Sequence, residues 1–406
     1  MKLLQINSVA NIGSTGRIAE QIGQAAMKAG WESYIAYGRE AGQSQSHLIK
    51  IGSQLDVMWH GVVTRLFDRH GLASKRATKK FVSQIKEIQP DIIHLHNIHG
   101  YYLNYEILFE YFSKADIPVV WTFHDCWAMT GHCSYFEFVR CNKWRTGCNN
   151  CPNLKSYPIS LIYDNSICNY RLKRQVFNSL KNLTIVPVSK WIAQITQESY
   201  LQNNAIHTIS NGIDLSQFDI QSSDNVMQLK RHLGIKDEFV LLGVASIWDK
   251  RKGLSDFEKL SEIIPDEWKL VLVGLDEKQI KHLPSKIIGI KRTQSVRQLA
   301  ELYSMATAFV NLTYEDTYPT TNLESIACGT PVITYRTGGS PESLTEHTGH
   351  VVNKGDINEV VKRIQCIIGK GPDYYKNICR DYALQHFNKE DKFKEYIELY
   401  KKILKQ

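Results

Sequence analysis

The chain has 406 residues, of which 43% are apolar and 22% charged, and a net charge of +8. That length and balance suit two domains with full cores and exclude a disordered or fibrous protein. No apolar run nears the roughly 18 residues that span a bilayer, and MKLLQINSVANIG is too poor in apolar residues for a signal peptide, so a cytoplasmic protein is expected.

Residues 2–8 read as a first strand, and Gly13-Ser14-Thr15-Gly16 as a tight turn into a helix. The turn lacks the third glycine of a dinucleotide fingerprint, which argues against a nicotinamide cofactor. Further strands are expected at 33–38, 91–96, 118–124 and 184–189, with helical stretches between most of them. A second series follows Asn211-Gly212-Ile213-Asp214, at 239–246, 269–274, 308–312, 331–335 and 349–352. The alternation predicts an α/β protein of two Rossmann-like, doubly wound parallel-sheet domains facing a ligand cleft. The expected domains are 1–214 and 215–385, with a cysteine-rich insertion at about 126–156.

In that insertion, HDCWAMTGHCSYFEFVRCNKWRTGCNNC holds five of the nine cysteines. Thiols this dense in a cytosolic chain suggest metal rather than disulfides. Cys148-x-x-Cys151 has zinc-knuckle spacing, and Cys133 and Cys141 complete a four-thiol set, with His132 as an alternative ligand. Structural zinc, free or buried thiols, and a redox pair all stay open. Trp127, Tyr135, Phe136, Phe138 and Trp144 are expected to give this long loop its own core. His94, His96 and His99 crowd another strand end, where packing and capping are the expected roles.

The positive balance has two readings: a mildly basic surface, or docking to anionic lipid through RHGLASKRATKK at 69–80. No RNA- or DNA-binding module is apparent, so no nucleic-acid partner is expected.

The stretch with most chemistry is LTYEDTYPTTNLESIACGTP at 312–331. Acidic residues Glu315 and Asp316 follow a strand, and a short helix begins near Thr320. First-turn N–H groups of Thr320, Thr321 and Asn322 suit an anion, with Glu324 one turn in. Thr321-x-x-Glu324 equally reads as a capping box.

This stretch resembles the donor-site signature of the family 4 retaining glycosyltransferases, which have the GT-B fold. Two acidic residues with seven between them mark that signature, as Asp316 and Glu324 do here. The first is usually Glu, and a branch with an acidic-Asp-x-aromatic-Pro-x-Thr run is more similar to this chain. Further patches fall in the family's order: His124-Asp125, Val188-Ser189-Lys190-Trp191, the NGID stretch, Lys252-Gly253 and Gly338-Gly339-Ser340-Pro341-Glu342.

The resemblance implies a metal-independent transferase with no catalytic cofactor. It would move a hexose from a UDP- or GDP-sugar to a glycan or lipid-linked acceptor of a bacterial surface polysaccharide, at the cytoplasmic face of the inner membrane. Lys252 and Arg251 would hold the diphosphate with the first turn at Thr320, Thr321 and Asn322. Ile247 stands where the family usually has Arg. Glu324 would hold the ribose, Asp316 the transferred sugar, and His124 would orient that sugar or steady charge near its anomeric carbon. Gly16 would let acceptor and donor approach. The closing helix, 386–406, resembles the tail that crosses back onto the first domain. Two other readings stay open, a nucleotide-sugar epimerase of the same fold and a non-catalytic nucleotide-sugar binding subunit.

Overall fold

The computed structural model describes residues 1–405. The chain forms two compact units, Met1–Ser210 joined by the segment from Phe393 onward, and Asn211–Lys392. Among the described residues no helix is long and apolar enough to cross a membrane.

The first unit is built on β1 (Lys2–Asn7), β2 (Glu32–Tyr37), β3 (His47–Lys50), β4 (Ile92–Leu95), β5 (Val119–Phe123), β6 (Leu183–Pro187) and β7 (Ala205–Ile206). They lie parallel in the order β3-β2-β1-β4-β5-β6-β7. β4, β5 and β6 are buried along their whole length, as continuous apolar runs require when helices cover both faces of a sheet. The sequence reading missed β3 and β7. Both are short edge strands, and HLIK is mostly exposed.

The last helix, Lys389–Ile403, completes this unit's core from Phe393 on. Phe393, Tyr396 and Tyr400 pack among Leu3, Ile18 and Trp31. The Tyr400 hydroxyl lies 2.6 Å from His94 Nδ1, and the Tyr396 hydroxyl 3.1 Å from Thr122 Oγ1. The packing role expected of His94 is therefore specific: it fastens the chain's last helix to β4.

The second unit holds β8 (Phe239–Val244), β9 (Trp268–Val273), β10 (Ile287–Ile290), β11 (Ala308–Asn311), β12 (Val332–Tyr335) and β13 (Gly349–Val352). Their order is β10-β9-β8-β11-β12-β13, all parallel. Here the unforeseen strand is β10, again an edge. The NGID stretch anchors the chain's return. Gly212 lies where a Cβ would come 2.7 Å from Lys389 Cα, and Asp214 takes the Lys389 ammonium at 2.6 Å.

In each unit strand order reverses once, between β1 and β4 and between β8 and β11. Ligands of open parallel sheets bind beyond the carboxyl ends of the strands flanking such a reversal.

The cysteine-rich segment contains no strand, only short helical turns at Trp127–Met129 and Lys143–Arg145. Phe136 stacks on Trp144 with centroids 5.2 Å apart, whereas Trp127 packs on Tyr105 and Phe177 outside the loop and Phe138 is exposed, so the loop's own core is only part of the set expected.

Candidate active site

The loops after β8 and β11 flank the second unit's reversal and are fastened together. Asp249 caps a helical turn at Lys250–Lys252 by accepting from the Arg251 and Lys252 N–H groups at 2.9 and 3.2 Å. Arg251 C=O then accepts from Tyr314 N–H at 2.7 Å. Gly253 is required here: at φ +76°, a Cβ would come 2.2 Å from Leu312 O.

On this frame Lys252 Nζ donates to Asp316 Oδ2 at 2.8 Å. Two residues that the sequence assigned to phosphate and to sugar thus meet as an ion pair. Arg251 is engaged on two sides, by Asp249 at 2.9 Å and by the buried Glu315 at 3.5 Å. Its guanidinium is anchored by carboxylates rather than facing solvent alone. Ile247, where the resembled family has Arg, is 71% exposed.

The helix Thr320–Ala327 starts at Pro319 with no side-chain cap. The capping-box reading of Thr321 and Glu324 therefore does not hold. The Glu324 carboxylate accepts from the buried Tyr303 hydroxyl at 3.0 Å, one of the roughly four hydrogen bonds a carboxylate can take. Thr320 and Thr321 are half-buried in the first turn, whose N–H groups lack helical acceptors.

Asn322 differs from the expectation. Its side chain is fully buried, accepting from Asn311 Nδ2 at 2.8 Å and donating to Ser343 Oγ at 2.9 Å, while its N–H is directed to Pro319 O at 3.2 Å. It is a fastener between β11 and the 340–343 turn, not a group aimed at a ligand.

In the first unit Gly16 belongs to the opening turn of the helix Gly13–Lys28 rather than to a turn before it. A Cβ there would lie 3.0 Å from Val9 Cγ2 and 3.2 Å from Asn11 N, so the chain's own loop occupies the space its small size leaves.

His124 follows β5 directly. Its Nε2 lies 3.1 Å from His96 Nδ1, and His96 Nε2 lies 3.1 Å from Gln5 Oε1. Gln5 Nε2 donates to Ala19 O at 2.7 Å, which fixes the amide with its oxygen toward His96. His96 must then donate from Nε2 and accept at Nδ1, and His124 must donate from Nε2. That tautomer makes His124 Nδ1 the acceptor nitrogen. Burial pulls the His124 imidazole down to about 4, although the neighbouring Asp125 pulls the other way. It is a neutral base at neutral pH.

Asp125 turns aside, accepting from Trp127 N–H at 2.9 Å and meeting His99 Nε2 at 2.9 Å, while His99 Nδ1 meets the Tyr157 hydroxyl at 3.1 Å. His96 in the relay, and His99 with Tyr157 beyond it, carried no signal in the sequence past a crowd of histidines.

The cysteines line one small cavity of about 10 Å³, with Cys133, Cys141, Cys148 and Cys151 all contributing. The Cys133 thiol hydrogen-bonds to Cys151, which holds the Cys151 thiol down to about 7 and pushes Cys133 up. Cys148 Sγ accepts from Gly131 N–H at 3.2 Å. Among the described residues no group of three or more His, Cys, Asp or Glu side chains is arranged to hold a metal ion.

Two parallel Rossmann-like units with a charged site at a strand-order reversal define the GT-B class. The family described as Glycosyltransferase Family 4 matches residues 15–217, and that described as Glycosyl transferases group 1 matches 238–370. The chain belongs to glycosyltransferase family 4. A putative colanic acid biosynthesis glycosyl transferase, WcaC of Escherichia coli K12, is 25% identical over 378 residues, or 89% of this chain and 90% of its own. The solved structure of Anabaena HepE with UDP is similar in fold, with a TM-score of 0.69 at 14% identity over 99% of this chain and 100% of its own. WaaG, a glycosyltransferase involved in lipopolysaccharide biosynthesis, has a TM-score of 0.68 at 14% identity over 98% and 99%.

Proposed function

We propose that the chain moves a hexose, with retention at the anomeric carbon and without a catalytic metal, from a UDP- or GDP-sugar to a glycan or lipid-linked acceptor in surface-polysaccharide synthesis. The observation that carries this reading is the Lys252–Asp316 pair beside the uncapped first turn at Thr320 and Thr321. A diphosphate takes over Lys252 and the helix N-terminus, and releases Asp316 to the hydroxyls of the sugar. Glu324 accepts from the ribose hydroxyls. The leaving phosphate takes the acceptor's proton, and neutral His124 orients the sugar. Structures of HepE hold UDP and UDP-glucose, and the E. coli relative is named for colanic acid, which supports the donor class and the setting.

A calorimetric screen of UDP, GDP, ADP and their hexose derivatives, with and without magnesium, tests this. Selective binding of one diphosphate without metal, followed by slow hydrolysis of its sugar, is the expected result. Binding with no turnover would instead favour a binding subunit, a reading to which the carboxylate-engaged Arg251 gives some weight. No nucleotide binding would end the donor-site assignment.

A further inference from the structure

The helix Gln54–Phe67 is turned inside out relative to an ordinary surface helix. Leu55, Met58 and Trp59 are 75%, 63% and 64% exposed, and Val62 is exposed too. They recur at i, i+3, i+4 and i+7, so they form one apolar stripe facing solvent, while His60, Gly61 and Thr64 face the core. The patch continues onto the loop after the cysteine-rich segment, where Leu161 and Ile162 are 67% and 66% exposed. That loop is fastened to the helix end: Leu161 N–H donates to Arg65 O at 2.7 Å, and Phe67 stacks on Tyr163 at 5.8 Å. A continuous exposed apolar patch of this kind marks an interaction surface.

The charge around it is mostly positive, with Asp164 an exposed carboxylate beside the loop. Arg65, Arg69, Lys75, Arg76, Lys79 and Lys80 are all exposed. Of the two carboxylates of the same stretch, Asp68 is buried and Asp56 is half-exposed at the helix N-terminus. Asp56 accepts from Ser53 N–H and Oγ at 2.8 and 2.7 Å, and Asp68 is fully buried beside His132.

We propose that this face docks on an anionic bilayer, with Trp59, Met58 and the Leu161-Ile162 loop entering the boundary between headgroups and acyl chains and the cations resting on lipid phosphates. The inference goes beyond sugar transfer and does not depend on it. The charge argues against a second copy of the chain as the occupant. A two-fold pairing of this patch would set the same cations against one another.

The test is co-sedimentation of the full chain with phosphatidylcholine vesicles, with and without phosphatidylglycerol. Binding is expected only when the anionic lipid is present, and should weaken about tenfold both in Met58→Ser/Trp59→Ser and in Lys79→Glu/Lys80→Glu. All four positions are exposed, and an unchanged unfolding midpoint verifies that the variants fold. No binding to anionic vesicles overturns the proposal, as does undiminished binding by both variants. Light scattering that finds a dimer dissolved by the Met58→Ser/Trp59→Ser pair also overturns it, and assigns the patch to a second copy.

Discussion

His96 Nδ1 faces His124 Nε2 at 3.1 Å, with the two rings stacked at 5.4 Å. Because Gln5 dictates which nitrogen of His96 is protonated, a residue of β1 sets the tautomer of a residue following β5. Replacing His96 with Phe should lower turnover about tenfold to a hundredfold with little change in donor affinity. Gln5→Met should do the same in weaker form. Nitrogen NMR of the wild type should find His124 protonated at Nε2 alone; protonation at Nδ1 would break the relay.

Acid should weaken the fold. Burial holds His124 down to about 4 and His60 to about 3, and pushes His70, His94 and His96 in the same direction. Between pH 6.5, where free imidazole titrates, and about 4, the unfolded chain binds protons that the folded chain refuses. Stability therefore falls with pH in that window, by ~1.4 kcal/mol per pH unit for His124 and for His60, and His70, His94 and His96 add in the same direction. Urea midpoints at pH 7.5 and pH 5 measure it, and equal midpoints would contradict the burial described.

Glu324→Gln keeps an acceptor for Tyr303 and removes the charge. The dissociation constant of the nucleoside diphosphate that binds should rise about tenfold while the unfolding midpoint barely moves, and Tyr303→Phe should cost ~1 kcal/mol of stability. The opposite pattern, lost stability with donor affinity intact, would make Glu324 structural.

For Asn322→Ala the expectation is reversed. The change removes the acceptor of Asn311 Nδ2 and one donor to Ser343 Oγ, which keeps its bond to Ser340 O, and should cost ~1–2 kcal/mol in denaturation. A variant as stable as the parent would show that the side chain is not the fastener described.

Alkylation by iodoacetamide, mapped by mass spectrometry, should find Cys151 reacting with a midpoint near pH 7. Cys133→Ser should move that midpoint, because the Cys133 hydrogen bond is the main cause holding Cys151 down. An unmoved midpoint would argue against the pairing.

What the sequence made legible was what periodicity and short spacing encode. Buried parallel strands announce themselves as apolar runs, and Asp316 and Glu324 stand a fixed step apart on one strand–loop–helix unit. Edge strands such as His47–Lys50 and Ile287–Ile290 are short, and the reading missed them. The roles of Asn322 and His96 depend on partners that only folding delivers: Ser343 across a turn, and Gln5 from another strand. The cysteines show the limit from the other side. Their spacing suits a tetrahedral set, and folding brings all four to one small cavity, but the hydrogen bond between Cys133 and Cys151 is set by the fold and not by spacing.

The first unit's core takes Phe393, Tyr396 and Tyr400 from the end of the chain. During synthesis those side chains leave the ribosome after all the strands they cover. Until then Leu3, Ile18 and Trp31 lack their partners, and His94 lacks the Tyr400 hydroxyl. The domain translated first is therefore the last to reach its final stability. A ribosome stalled before Phe393 holds a nascent chain with that apolar surface open to chaperones.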